Sequence, residues 1–250
     1  MGISRRTFIQ TSTMASLGTL LWNCNTPDRI LLKKGQTIAC LGDSITATKD
    51  GYVQMLQDYV DTNHPGLELT FLNWGKSSET ITGLTEKEHP GPRPYLFERL
   101  DTLLKTKPID IIFFCYGINC GIYGKPSQEL FDSYTIGLYS FLEKIKLKGI
   151  KAILLTPPPL VLEVVNDAKI PSPEENNYGY QNPYPNYQEE VLKRFHEIVL
   201  NSNHETILGK IDIQSPLLRY KNKCYSEDPI HPNKNGHQLI TNTIIENLTI

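Results

Sequence analysis

Neither sign of charge dominates this chain: 25 basic residues stand against 27 acidic ones, a formal net charge of -2. With no Lys/Arg run to lie along phosphates, the sequence gives no reason to expect nucleic acid as a partner. No apolar run approaches the roughly 20 residues that a membrane-spanning helix needs. The five cysteines form no CxxC pair or metal knuckle, and the six histidines form no HExxH. GxGxxG does not follow the first strand-like run and no GxxxxGK loop occurs, so the phosphate-cradling signatures of flavin and nucleotide proteins are missing. What remains is a chain of 250 residues, 39% hydrophobic and 21% charged. That is an ordinary globular composition, long enough to bury a core without staples.

The first two dozen residues read differently from the rest. Ser4-Arg5-Arg6-Thr7-Phe8-Ile9-Gln10 resembles a twin-arginine export signal, and the uncharged stretch Thr11 to Trp22 suits a signal-peptide apolar region. The alternative is an N-terminal amphipathic helix, against which stand the lack of a polar face and of any acid. The expected organisation is an export signal over 1–24, a linker over 25–35 and one domain over 36–250. Cys24 stands where a bacterial lipoprotein carries its lipidated cysteine, yet Leu21-Trp22-Asn23 before it are not the usual small residues. Both an exported protein and one anchored to a membrane through Cys24 stay open; the expected location is the periplasm or cell surface. The oligomeric state is not legible.

From Gln36 onward short apolar runs alternate with amphipathic segments. Thr37–Leu41, Leu67–Trp74, Ile109–Tyr116, Ala152–Leu155 and Ile207–Ile213 read as strands. Helical stripes run through Tyr52–Val60, Leu96–Leu104, Leu130–Ile145, Val191–Val199 and Leu239–Ile244. Such alternation predicts an α/β domain with a central parallel sheet of about five strands between helices. The Pro-, Asn- and Tyr-rich stretch from Leu160 to Pro185 follows the fourth strand, so it is expected at the carboxyl edge of the sheet, where open α/β folds bind ligands.

Chemistry concentrates at the strand ends. Gly42-Asp43-Ser44 closes the first strand just before a helix, as a nucleophile there or as a plain turn and helix cap. Asp228-Pro229-Ile230-His231 spaces a carboxylate three residues from an imidazole: a base with its orienting acid, or an incidental surface pair. Asn73-Trp74-Gly75 and Gly117-Ile118-Asn119 end the second and third strands. A serine N–H, a glycine N–H and an asparagine amide converging there would make a three-donor oxyanion hole from Ser44, Gly75 and Asn119.

These four blocks, in this order, resemble those of the SGNH, or GDSL, hydrolase family over essentially the whole mature chain. The resemblance implies a flavodoxin-like three-layer α/β/α fold and ester hydrolysis through an acyl-enzyme. It assigns Ser44 as nucleophile, His231 as base and Asp228 as the residue orienting it, with Gly75 and Asn119 in the oxyanion hole. No metal or cofactor is called for, because the oxyanion hole does the work of a Lewis acid. One position departs: the family's third block usually ends in Asp, and here it is Cys120.

The remaining readings are weaker. Cys40 and Cys115 are expected as buried thiols. Cys120 and Cys224 read as two free thiols, with a bridge between them as the alternative. His64, His89, His196, His204 and His237 are expected to be surface or structural, His237 through packing. Arg93 and Tyr123, shortly after the second and third strands, are candidate cleft-lining, substrate-binding residues. Tyr178, Tyr180, Tyr184 and Tyr187, with Asn176, Asn177 and Asn182, either meet sugar rings or simply pack a long loop. The expected activity is that of an exported carbohydrate O-deacetylase acting on a small-molecule or oligosaccharide ester. The alternatives are a lipolytic esterase or lysophospholipase, and a non-catalytic glycan-binding protein on the same fold.

Overall fold

The computed structural model describes residues 29–164 and 177–250. The expected export signal, Cys24, Asn176 and the middle of the loop following Leu160 therefore lie outside the described residues.

Five parallel strands form the sheet: β2 (Thr37–Gly42), β3 (Thr70–Gly75), β4 (Ile111–Cys115), β5 (Lys151–Leu155) and β6 (Ile207–Ile211), in the order β3-β2-β4-β5-β6. All five residues of β4 are buried, as a central strand covered on both faces requires. Helices α2 (Tyr52–Asn63) and α8 (Lys234–Glu246) pack together, and α4 (Gln128–Lys146) packs on α5 (Lys193–Asn201), giving the three-layer α/β/α arrangement. In α4 the sequence supplies every device: Ser127 Oγ accepts the Leu130 N–H at 3.1 Å, Glu129 opens the helix and Lys144 and Lys146 close it. Its buried stripe is Leu130, Tyr134, Leu138, Phe141, Leu142 and Ile145. Among the described residues no helix is long and apolar enough to cross a membrane.

The chain steps from β2 outward to β3, then crosses to the other side of β2 for β4. This reversal is the switch point at which open α/β sheets leave a crevice beyond their carboxyl ends. Register aligns those ends, with Gly42 beside both Gly75 and Cys115.

Several elements differ from the expected ones. The second strand begins at Thr70 because Pro65–Leu67 forms a 3-10 turn and Glu68 adopts a left-handed conformation. The last strand stops at Ile211, where Asp212 turns the chain by accepting the Ser215 N–H at 3.0 Å. Helices α6 (Gln214–Arg219) and α7 (Lys221–Cys224) then follow. The stripe through Val191 begins earlier, as a π-helical turn over Tyr187–Leu192. The linker expected over 25–35 is part of the fold in its second half. There β1 (Ile30–Leu31) pairs in parallel with β7 (Leu248–Thr249), and Leu32 is buried.

Candidate active site

Ser44 is the first residue of α1 (Ser44–Ala47), a single turn that follows β2 directly. Asp43 caps that turn, its Oδ1 accepting the Ile45 N–H at 3.0 Å. Two glycines let α1 settle onto the strand ends. A Cβ on Gly42 would lie 2.1 Å from Thr46 Oγ1, and one on Gly75 would lie 2.2 Å from the Ala47 nitrogen. Asn73 completes the fastening, its Nδ2 donating to the Thr46 carbonyl at 2.7 Å.

His231 and Asp228 arrive on the segment before α8. Asn233 caps that helix, accepting the Asn235 and Gly236 N–H groups at 2.9 and 3.2 Å, and its own N–H donates to the Cys224 carbonyl at 2.8 Å. From the other side, the Val161 N–H donates to the Pro229 carbonyl at 2.9 Å. The Asp-x-x-His turn is therefore held at both flanks. Within it, Asp228 Oδ1 accepts the N–H groups of Ile230 and His231 at 2.8 and 3.1 Å. Asp228 Oδ2 lies 2.8 Å from His231 Nδ1, and His231 Nε2 lies 2.8 Å from Ser44 Oγ. With the carboxylate fixing a proton on Nδ1, Nε2 is left to accept the serine hydroxyl proton.

Three titrating groups set the electrostatics. Burial raises the Asp228 pKa, but His231 and the two backbone donors outweigh it and bring it down to about 2. The bond to Asp228 raises the His231 pKa, against the opposing effect of burial. Asp43 is wholly buried, and that burial pushes its carboxyl up to about 7; its Oδ2 has no hydrogen-bond partner among the described residues.

The cleft over Ser44 has a volume of about 320 Å³. Asn119 lines it, buried, with Nδ2 unpartnered among the described residues and Oδ1 accepting the Tyr123 hydroxyl at 2.9 Å. The structure thus brings Ser44, Asp228, His231 and Asn119 together. Gly75, expected beside them, is engaged elsewhere. Its N–H donates to Asn73 Oδ1 at 2.9 Å, and the residues that line the cleft from that segment are Ser77 and Ser78. Ser78 has φ +63, a left-handed conformation uncommon outside glycine, and nothing in a Ser-Ser pair signals it in advance.

Arg93 and Tyr123 both line the cleft, as expected of them. The Arg93 guanidinium is nevertheless occupied. It holds Glu86 in a buried bidentate pair at 2.6 and 2.5 Å and donates to the Ser78 carbonyl at 3.2 Å. The pair formed by buried Glu79 and partly exposed Arg99 braces the same segment, and Tyr116 donates to Glu79. His89, expected to be surface or structural, lines the cleft with Tyr180, their rings 6.2 Å apart. His237 packs as expected and also accepts the Tyr52 N–H at 3.2 Å. Cys40, Cys115, Cys120 and Cys224 are all buried free thiols, so Cys120 and Cys224 form no bridge.

The family model described as "GDSL-like Lipase/Acylhydrolase family" matches residues 40–239. No curated protein matches the sequence. Among solved structures, the chain is similar to Axe2, an acetylxylan esterase from Geobacillus stearothermophilus, with TM-score 0.60 at 18% identity over 89% of this chain and 97% of that one. It is similar too to LAE5, an alpha/beta hydrolase enzyme from the metagenome of Lake Arreo, Spain. There the TM-score is 0.60 at 18% identity, over 86% of this chain and 96% of that one.

Proposed function

The chain belongs to the GDSL-like lipase/acylhydrolase family and is a carboxylic ester hydrolase, and from that premise we propose that it is an exported carbohydrate O-deacetylase with Ser44 as its nucleophile. One observation carries the assignment of roles. Ser44 Oγ, His231 and Asp228 stand in a line of two 2.8 Å contacts beside the unpartnered amide of Asn119.

In this reading Ser44 Oγ attacks the ester carbonyl carbon while its proton passes to His231 Nε2. Asp228 stays ionised and stabilises the imidazolium. The tetrahedral oxyanion is met by the Ser44 N–H, by Asn119 Nδ2 and by the N–H of Ser78, which takes the part first expected of Gly75. What supports Ser78 is its place in the cleft and the engagement of the Gly75 N–H by Asn73. Collapse expels the alcohol, which takes its proton from His231. Water, deprotonated by the same imidazole, then releases the acid and restores Ser44.

The carbohydrate reading rests on the cleft wall. His89, Tyr180 and the hydroxyls of Ser77 and Ser78 offer ring faces and hydrogen bonds, whereas a long acyl chain would need an apolar tunnel. The acetylxylan esterase neighbour agrees with it in fold. Export rests on the paired Arg5-Arg6 and the apolar stretch behind them, and fractionation with N-terminal mass spectrometry of the mature protein tests it. The activity is tested with a panel of acetylated xylooligosaccharides and long-chain acyl esters, with Ser44→Ala as control. Turnover confined to long-chain esters would refute the sugar assignment. Turnover that survives Ser44→Ala, or a folded wild type that a fluorophosphonate probe cannot label, would refute the nucleophile.

A further inference from the structure

We propose that Tyr123 and Tyr187 are positioning residues for the Asn119 amide, and that together they hold the loop that carries it. This rests on the reading of Asn119 as an oxyanion donor.

An asparagine side chain is a useful donor only if its amide faces the right way, and the two ends of the amide differ little in shape. Here Tyr123 decides the matter. Its hydroxyl donates to Asn119 Oδ1 at 2.9 Å, which commits the oxygen and leaves the buried Nδ2 as the end without a partner among the described residues. Tyr123 sits four residues after Asn119 only because the chain turns back sharply. Ile122 and Tyr123 have φ +47 and +56, two consecutive left-handed residues, one of them β-branched. Such backbone is costly and persists only where its surroundings impose it.

Tyr187 is the surrounding that imposes it. Its hydroxyl donates to the Ile118 carbonyl at 2.9 Å and accepts the Gly121 N–H at 3.1 Å, spanning the loop on either side of Asn119 and Cys120. A Cβ on Gly121 would lie 2.6 Å from that hydroxyl, so glycine is what lets the two meet. The rings of Tyr123 and Tyr187 stack at 5.2 Å, and the Tyr184 N–H donates to the Tyr123 carbonyl at 2.8 Å. On the cleft side, the Arg93 guanidinium lies 5.6 Å from the centre of the Tyr123 ring. Cys120 adds a buried thiol, and its carbonyl accepts the Thr82 hydroxyl at 2.9 Å. The ties on either side of Asn119 come from the π-helical turn that begins at Tyr187, more than sixty residues along the chain.

The test is a double-substitution cycle on the full-length protein, read with a small acetyl ester that makes no use of a sugar site. Asn119→Ala is expected to lower kcat by about 100-fold, the usual effect of losing one oxyanion donor. Tyr123→Phe, which removes a single oxygen, is expected to lower kcat about tenfold with KM unchanged, through lost orientation of that donor. In the Asn119→Ala background Tyr123→Phe should then change kcat by less than twofold, because the group it acts through is gone. Tyr187→Phe should follow the same pattern and serves as the independent second variant, with thermal melts confirming folding of each. A tenfold loss from Tyr123→Phe that persists without Asn119, or no loss at all, overturns the positioning role while leaving the hydrolase assignment intact. If Asn119→Ala leaves kcat unchanged while Ser44→Ala abolishes it, the oxyanion role falls and this inference with it.

Discussion

Asp43 stands next to the nucleophile with one carboxylate oxygen serving the Ile45 N–H and the other serving no group among the described residues. Its folded pKa of about 7 against an ordinary 3.8 means that the folded protein binds a proton in that interval and the unfolded chain does not. Stability from this group is complete below pH 3.8 and is lost as pH rises through 7. Asp43→Asn keeps the cap oxygen and removes the charge. At pH 8 it should raise stability by about 1–3 kcal/mol, and below pH 4 the two proteins should melt alike. Melting curves at both pH values check it. His231 provides a second test. Its pKa is raised by Asp228, so the acid limb of kcat/KM should lie above the ordinary histidine value of 6.5. Asp228→Asn should move that limb to lower pH and cut kcat by about 10²–10⁴, read from full pH–rate profiles. Ser44, Asp228, His231 and Asn119 were legible as candidates because their spacing and their strand ends are written in the sequence. Ser78 was not, since its claim rests on a backbone angle and on Arg93 gripping its carbonyl from 15 positions away.

At the scale of elements, α2 begins at Tyr52 with Gly51 as its cap residue, and glycine offers no side chain to accept an N–H. His237 of α8 does so instead, across 185 positions, its Nδ1 accepting the Tyr52 N–H at 3.2 Å. Burial depresses its pKa to about 4 from 6.5. The unfolded chain takes up a proton first, so this contribution is present above pH 6.5 and is lost as pH falls through 4. His237→Gln keeps an acceptor and removes the titration. Relative to wild type it should flatten the loss of stability between pH 6.5 and 4, measured by urea unfolding at several pH values. The strands were legible as short apolar runs, and the long helices in the 3.6-residue period of their apolar positions. The π-helical turn at Tyr187 and the short helices α6 and α7 were not, because each is too short to show a repeat and long-range ties help hold its chain in place. Thr156 Oγ1, for example, accepts the N–H groups of Ile213 and Gln214 at 2.9 and 3.0 Å.

For the whole molecule, the order β3-β2-β4-β5-β6 puts the reversal of chain direction between the strands that lead to Ser44 and Asn119. The sheet could be anticipated from its alternation with helices, but the pairing of β1 with β7 could not. Two residues on each side carry no readable period, and they join segments more than two hundred positions apart. That pairing sits outside the catalytic cleft and buries Leu248 and Leu32. Leu248→Ala should therefore destabilise the protein by about 2–4 kcal/mol, seen in chemical denaturation, and leave kcat/KM at 25 °C within about twofold.

The side chains of His231 and Asp228 are 42% and 53% exposed, which places the proton-handling end of the site at the rim of the cleft. An acyl group held on Ser44 would thus face the bulk liquid with its activating imidazole already wet. A sugar hydroxyl held against His89 and Tyr180 would then compete with water for that group. The partition between hydrolysis and acyl exchange would follow from which hydroxyl the cleft wall holds nearest that imidazole.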